Sequence, residues 1–163
     1  MNFQVENVLK ISQLENNNID LSKNLLNIHD VLDKAIKSVD LLLNNSNGLI
    51  TKKYCNNNSN IQLAESEMVN VFINILENSI KYSINDPEIL IKTFVKKNSL
   101  IVSISDKGIG MSKNVKSKIF ENFYRETKGN IHNVKGHGLG LSYVKKIIDL
   151  HGGMISVNSE LDK

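Results

Sequence analysis

A line of amide side chains marks the helix predicted at residues 65–83. With about 100° of rotation per residue, its apolar residues share one side and its polar residues form a narrow stripe opposite. Asparagine forms helices less readily than Lys or Glu, so it is an unusual choice for a solvated face. Amide oxygens are hard ligands, and an ammonium at the end of the line suits magnesium bound to a polyphosphate. The stripe fits a ligand site or an exposed surface, and its members are Glu67, Asn70, Asn74, Asn78 and Lys81.

A second group of candidate residues follows the strand predicted at 100–105. Asp106 comes directly after it, and Gly108 and Gly110 follow at a spacing that permits a tight turn and close backbone approach to a ligand. The carboxylate at the strand end could accept a hydrogen bond from an exocyclic amine. By itself this motif is weak evidence for a ligand site, because ordinary strand–turn segments often combine Asp and Gly.

A third candidate is the glycine-rich run at 136–142, which leads into the helix predicted at 139–151. Backbone amides at a helix N-terminus bind anions, and glycines let the preceding loop wrap around phosphates. No Gly-Lys-Ser/Thr closes the run, so it is not a Walker A loop. The spacing and the long loop before it also exclude a Rossmann fingerprint. A glycine-rich helix entry without a ligand is the alternative.

The elements that would position these residues are helices and strands without regular βαβ alternation, which favours a layered α+β sandwich. Apolar spacing predicts them, with Asp30 placed to open the second helix and Pro87 breaking the chain. The predicted helices are 5–15, 31–43, 65–83, 115–123 and 139–151; the strands are 48–55, 88–95, 100–105 and 154–157; a polar loop covers 126–138.

Composition restricts the function classes. The chain has 163 residues, 40% of them hydrophobic, which is enough for one domain with a buried core. A single cysteine, Cys55, excludes an internal disulfide and fits a reducing compartment. The net charge of +3 comes from dispersed lysines, so no nucleic-acid partner is expected. No apolar run approaches the ~18 residues of a membrane span, and no signal peptide opens the chain, so no membrane contact is expected for this segment.

Together the three groups resemble the GHKL ATPase superfamily, and within it the catalytic ATP-binding domain of sensor histidine kinases. The resemblance covers about residues 19–160. Residues 74–83 look like the N box, 106–111 like the first glycine box, 119–125 like the F box and 136–142 like the second glycine box. His151-Gly152-Gly153 resembles the sequence that usually follows the last helix.

The resemblance implies a two-layer α/β sandwich of the GHKL (Bergerat) type, with a mixed sheet packed on three main helices. Residues 1–17 would be the end of the dimerisation and phosphoacceptor hairpin, and 18–163 the catalytic ATP-binding domain. The family's last strand is expected to be missing, so that this domain would be C-terminally truncated.

The resemblance also implies roles for the helix residues. Asn78 would coordinate magnesium, with Asn74 one turn earlier on the same face. Lys81 would reach the phosphates, and Tyr82 would border the nucleotide. Arg125 is the single arginine, and its forked guanidinium suits phosphate better than lysine does.

The loops would complete the ATP site. Asp106 would accept from the adenine amino group, and Gly108 and Gly110 would shape the adenine pocket. A lid would run from about residue 126 to Gly136 and fold over the triphosphate. The phosphate oxygens would meet the start of the last helix at Gly138, Leu139 and Gly140.

The phosphoacceptor motif of the family is absent, so no catalytic residue is expected in this chain. Its histidines, which are His29, His132, His137 and His151, are interpreted as structural or solvated. The chain alone is expected to bind ATP and magnesium without autophosphorylation. The implied partners are the phosphoacceptor domain of the same protein, a response regulator and a second copy in a full-length homodimer, all on the cytoplasmic side.

Two alternatives remain open. One is another GHKL ATPase of the gyrase, mismatch-repair or chaperone type. Those enzymes would carry a water-activating glutamate in the turn that Asn74 occupies, which argues against this alternative. The other is a non-catalytic ATP-sensing module, against which the intact motifs argue.

Overall fold

The computed structural model describes residues 21–56, 59–125 and 138–161. The helix predicted at 5–15 and most of the loop predicted at 126–138 lie outside these ranges. None of the helices within them is long and apolar enough to cross a membrane. The elements are β1 (Asn24–Asn27), α1 (Ile28–Asn45), β2 (Leu49–Lys53), β3 (Asn60–Leu63), α2 (Glu65–Lys81), β4 (Glu88–Lys96), β5 (Ser99–Ser105), α3 (Lys113–Lys118) and α4 (Gly140–Leu150).

Strand β4 is the centre of a mixed three-stranded sheet in the order β2-β4-β5. It runs parallel to β2 and antiparallel to β5, with Leu90 opposite Ser105. The predicted hairpin between β4 and β5 is confirmed. Its turn consists of Lys97 and Asn98, whose φ angles of 48° and 62° are the positive values that tight hairpin turns require.

The core lies between one face of this sheet and three helices. Ile91 on β4 is fully buried, together with Leu32 on α1, Leu76 on α2 and Ile147 on α4. Burying each such side chain contributes about 1.5–3 kcal/mol relative to leaving it exposed. The predicted architecture of a mixed sheet packed on three main helices is therefore confirmed.

The opposite face of the sheet has no helix of the described ranges packed on it. Leu49 on β2 is 62% exposed and Phe94 on β4 is 41% exposed. Lys53 on β2 and Lys92 on β4 are register partners, so two ammonium groups project from this outer face side by side.

Helix α1 begins earlier than predicted. The side chain of Asn27 accepts a hydrogen bond from the His29 backbone N–H at 2.9 Å and caps the helix. The prediction that Asp30 opens the helix is wrong, because Asp30 lies in the first turn. There its negative charge still interacts favourably with the helix dipole.

The short helix α3 also differs from its prediction at 115–123. It is capped by Ser112, whose hydroxyl accepts from the Val115 N–H, and it ends at Lys118. Beyond Lys118 the chain continues in a turn, in which the Glu121 N–H donates to the Lys118 carbonyl at 2.9 Å. Phe123 then adopts a positive φ of 63° and donates its N–H to the Gly138 carbonyl at 2.9 Å.

The strands differ from prediction at two places. β1 and β3 form an antiparallel pair that the sequence pattern did not indicate, because Leu25 and Ile61 are exposed and the pair lacks a continuous apolar face. The prediction of a strand at 154–157 is wrong for the described part of the chain. That segment joins no β-ladder there, and Met154 is 98% exposed.

A histidine from one helix caps another. Ala64 precedes α2 and has no side-chain oxygen to cap it. Its backbone N–H donates instead to Nε2 of His151 at 3.0 Å, at the end of α4. Because Nε2 must accept this bond, the ring proton lies on Nδ1, which donates to the Ile147 carbonyl at 2.8 Å. His151 thus has the structural role expected for it.

Replacing this cap should destabilise the fold. His151→Ala removes the acceptor for the Ala64 N–H, and the loss of a helix cap costs about 1–2 kcal/mol. Urea denaturation would measure the free energy of unfolding. The control is Asp149→Ala in the same turn, which breaks only an exposed pair with Lys145 and should change stability by about 0.5 kcal/mol or less. Equal losses in the two variants would contradict the capping role.

Candidate functional site

The end of α2 and the turn after β5 are joined by backbone contacts. The Ile109 N–H donates to the Tyr82 carbonyl at 3.0 Å, and Ser83 forms a β-bridge with Gly108. A Cβ at Gly108 would lie 2.9 Å from the Tyr82 oxygen, closer than side-chain carbons come to backbone. Glycine at this position therefore allows the two segments to meet.

The carboxylate of Asp106 is held at both oxygens. Oδ1 accepts from the Gly108 N–H at 3.0 Å, and Oδ2 accepts from the Ser79 hydroxyl of α2 at 3.1 Å. Asp106 is exposed while Ser79 is only 5% exposed. An ionised carboxylate has about four acceptor sites, so the group keeps capacity for a donor arriving from solvent. The sequence predicted Asp106 and missed Ser79.

Asn74 lies against the start of α4. A Cβ at Gly140 would lie 2.7 Å from Asn74 Oδ1, so the missing side chain makes room for the amide. Asn74 Nδ2 donates to the Asn70 carbonyl at 2.8 Å. With its nitrogen engaged by the helix, the amide presents its oxygen beside the first residue of α4.

The polar stripe of α2 serves two purposes. Tyr143 of α4 lies beside Glu67 and Asn70. Burial, which is the largest cause, and the charge of Glu67 raise the pKa of the Tyr143 phenol to about 12, and a hydrogen bond with Asn70 opposes the shift. The first half of the stripe thus contacts another helix. The second half, with Asn74, Asn78 and Lys81, contains the candidate ligand residues.

The last turn of α2 carries the remaining predicted residues. Asn78 follows Asn74 by one turn on the same face and is half-buried, as is Tyr82. Lys81 Nζ lies 3.6 Å from Glu77 on the next turn back. Exposed pairs of this kind are worth about 0–1 kcal/mol, so an anion could draw the ammonium away easily.

The start of α4 has features of an anion site. Its cap residue, Leu139, is buried and provides no side-chain hydrogen bond to the first backbone amides. The hydroxyl of Ser142 donates back to the Leu139 carbonyl at 3.0 Å, which fixes this turn without occupying an amide. Backbone amides at a helix start attract negative charge.

Gly138 brings together the two ends of the segment between α3 and α4. Its φ is 71°, and its carbonyl accepts from the Phe123 N–H. A Cβ at Gly138 would lie 2.7 Å from the Tyr124 oxygen. Arg125, the residue after Tyr124, is exposed. Gly136 and the predicted lid lie outside the described residues.

The remaining glycine of the predicted adenine pocket, Gly110, has a φ of 68° and contacts the backbone of Glu160. It lies two residues beyond Gly108 in the same turn. The described residues thus place Asp106 beside Ser79 and Gly140 beside Asn74, both along the C-terminal half of α2. Magnesium ligation by Asn78 and phosphate contacts by Lys81 and Arg125 stay predictions.

Comparison with known proteins gives a consistent result. Residues 64–163 match the family described as histidine kinase-, DNA gyrase B-, and HSP90-like ATPase. The sensor protein RprX of Bacteroides fragilis is 37% identical over 99% of this chain, and the histidine-protein kinase ArlS of Staphylococcus aureus is 31% identical over 98%. The chain spans about a third of these relatives, 32% and 35% of their lengths.

Solved structures share the fold. The full-length structure of ShkA in complex with AMPPNP matches 96% of this chain and 32% of its own, with a TM-score of 0.83 at 22% sequence identity. Such a likeness supports the architecture described above.

The close approach at Gly138 gives a stability prediction. Gly138→Ala places a Cβ at positive φ against the backbone of residues 123 and 124, and should lose about 2–3 kcal/mol of unfolding free energy. The control is Gly152→Ala, since Gly152 has the similar φ of 72° but no atom within 4 Å of the point where its Cβ would lie. There only the backbone strain of about 1 kcal/mol applies. Urea denaturation of both variants checks this, and equal losses would show that the contact at Gly138 is unimportant.

Proposed function

The chain belongs to the histidine kinase-, DNA gyrase B-, and HSP90-like ATPase family, and from that premise we propose that it is the ATP–magnesium-binding catalytic domain of a sensor histidine kinase. Its role would be to present the ATP γ-phosphoryl group to a histidine on a neighbouring domain. The names of the relatives support this proposal. Because the chain spans only a third of those relatives, kinase activity and partners of the whole protein belong to the proposal.

The observation that carries the proposal is the anchored carboxylate of Asp106. Its oxygens are oriented by Gly108 and Ser79 and remain open to a further donor. The exocyclic amine of adenine is such a donor. Guanine has a carbonyl oxygen at the corresponding ring position, and two acceptors would repel each other, so the site favours adenine nucleotides.

The residues around α2 suit magnesium and phosphate. Asn74 presents an amide oxygen, and Asn78 offers a second one turn later. Hard oxygen ligands of this kind bind magnesium, which keeps most of its coordination sites for phosphate and water. When bound, the ion would neutralise phosphate charge. Lys81, Arg125 and the amides at the start of α4 would hold the remaining phosphate oxygens.

The engaged histidines support an acceptor on another domain. Nε2 of His29 lies 2.9 Å from Thr93 Oγ1 and 3.2 Å from Ser59 Oγ, and the ring stacks on Tyr54 with centroids 4.4 Å apart. The contact with Thr93 also holds His29 away from the carboxylate of Asp106. Leu90 of β4 pairs with Ser105, the residue before Asp106, and Thr93 lies three residues further along the strand. His151 uses both ring nitrogens, and His132 and His137 lie outside the described residues.

We further propose that the full protein is a cytoplasmic homodimer that passes the phosphoryl group to a response regulator.

The base assignment can be tested by nucleotide titration. Asp106→Asn replaces a charged acceptor, and hydrogen bonds to charged groups contribute roughly 1.5–3 kcal/mol, so ATP should bind about tenfold or more weakly in the presence of magnesium. Asp86→Asn, at an exposed position between α2 and β4, is the matched control and should bind like the parent. Equal ATP affinity in parent and Asp106→Asn, or equal affinity of the parent for ATP and GTP, would refute the assignment.

The proposed phosphotransfer has a separate test. Radiolabelled ATP and magnesium should leave no acid-labile label on this chain alone, and should label the histidine-bearing hairpin domain of the same protein when it is added. Asn78→Ala should lower that label about tenfold or more, because tenfold corresponds to only ~1.4 kcal/mol of transition-state stabilisation. The exposed Asn85→Ala is the control. Stoichiometric acid-labile label on the chain alone would contradict the proposal.

A further inference from the structure

Ser79 links the Asp106 carboxylate to helix α2 by a hydrogen bond. A second bond to that carboxylate comes from Gly108, two residues away in the same turn. The two bonds differ in what they fix. The bond to Gly108 shapes the turn locally, whereas the bond to Ser79 spans 27 residues and fixes the carboxylate relative to the helix.

The surroundings of Ser79 make this contact specific. The residue is 5% exposed, so its hydroxyl is shielded from water and its single proton goes to Asp106 Oδ2. A hydrogen bond to a charged acceptor is about twice as strong as one between neutral groups. Ser79 also directly follows Asn78, so the helix that carries the proposed magnesium ligand also orients the carboxylate.

We propose that Ser79 is a positioning residue for adenine recognition, and this inference rests on the function proposed above. Its hydroxyl sets the rotation of the Asp106 carboxylate so that one Oδ2 acceptor site faces the 6-amino group of the base. Without the hydroxyl the carboxylate keeps its local bond to Gly108 and can rotate away from the base. The effect should therefore appear only with nucleotides that carry the amino group.

Paired nucleotides separate this role from a structural one. The probes are ATP and purine riboside 5′-triphosphate, which lacks the 6-amino group, titrated with magnesium into the 163-residue chain. Ser79→Ala should weaken ATP binding roughly three- to tenfold, less than Asp106→Asn, because the bond from the base to Asp106 is then poorly aligned but not removed, and it should leave binding of the analogue unchanged. Ser79→Thr retains the hydroxyl and should keep more of the ATP affinity than Ser79→Ala.

Ser83→Ala is the matched control. It removes a hydroxyl four residues along, whose bond goes to the Ser79 carbonyl at 2.8 Å, and it should preserve the preference for ATP over the analogue. In a double-variant cycle, Ser79→Ala should have no further effect on ATP binding once Asp106 is Asn, because the charge that it orients is gone.

The outcomes separate this inference from the proposed function. A parent chain that binds ATP and the analogue equally refutes adenine reading by Asp106, and this inference falls with it. A parent that prefers ATP, with the preference unchanged in Ser79→Ala, overturns the inference alone. Equal weakening of both nucleotides by Ser79→Ala also overturns it, since that result describes a general effect on folding.

Discussion

The attachment of the β5 end to the last turns of α2 is the constraint on which the site depends. Strand β5 brings Asp106 to the end of the sheet, and the core fixes α2 beneath that sheet through residues such as Leu76. The hydrogen bonds from Ser79 to Asp106 and from Ile109 to Tyr82 then join the two. Because the proposed base-reading carboxylate and the proposed amide ligands are carried by elements packed in one core, that core fixes the spacing between them.

Two glycines allow further close contacts between segments of the chain. Gly140 leaves room for the Asn74 amide, and Gly138 lets the chain before α4 reach the backbone that follows α3. Each contact is one that a Cβ would obstruct. The glycine-rich motifs therefore serve the packing of protein against protein, in addition to the approach to phosphate that is proposed for them.

Elements with a clear hydrophobic periodicity can be predicted from the sequence. Helices α1, α2 and α4 carry long apolar stripes, and their existence and the paired strands β4 and β5 were predicted close to their observed bounds. Contacts between distant residues have no such periodic signal. Ser79 reads as an ordinary helix residue until Asp106 is placed beside it, and the cap by His151 joins positions 87 residues apart. The short strands β1 and β3 lacked the buried alternation that would have revealed them.

The outer face of the sheet has a consequence for behaviour in concentrated solution. Leu49 and Phe94 present apolar surface there, which would favour face-to-face association of two copies. Such an encounter would also bring together the ammonium groups of Lys53 and Lys92 from both molecules. This repulsion acts over a Debye length of about 10 Å at 0.1 M salt and shrinks to about 3 Å at 1 M. Association of isolated domains through this face should therefore increase with ionic strength, because salt weakens the repulsion between these ammonium groups.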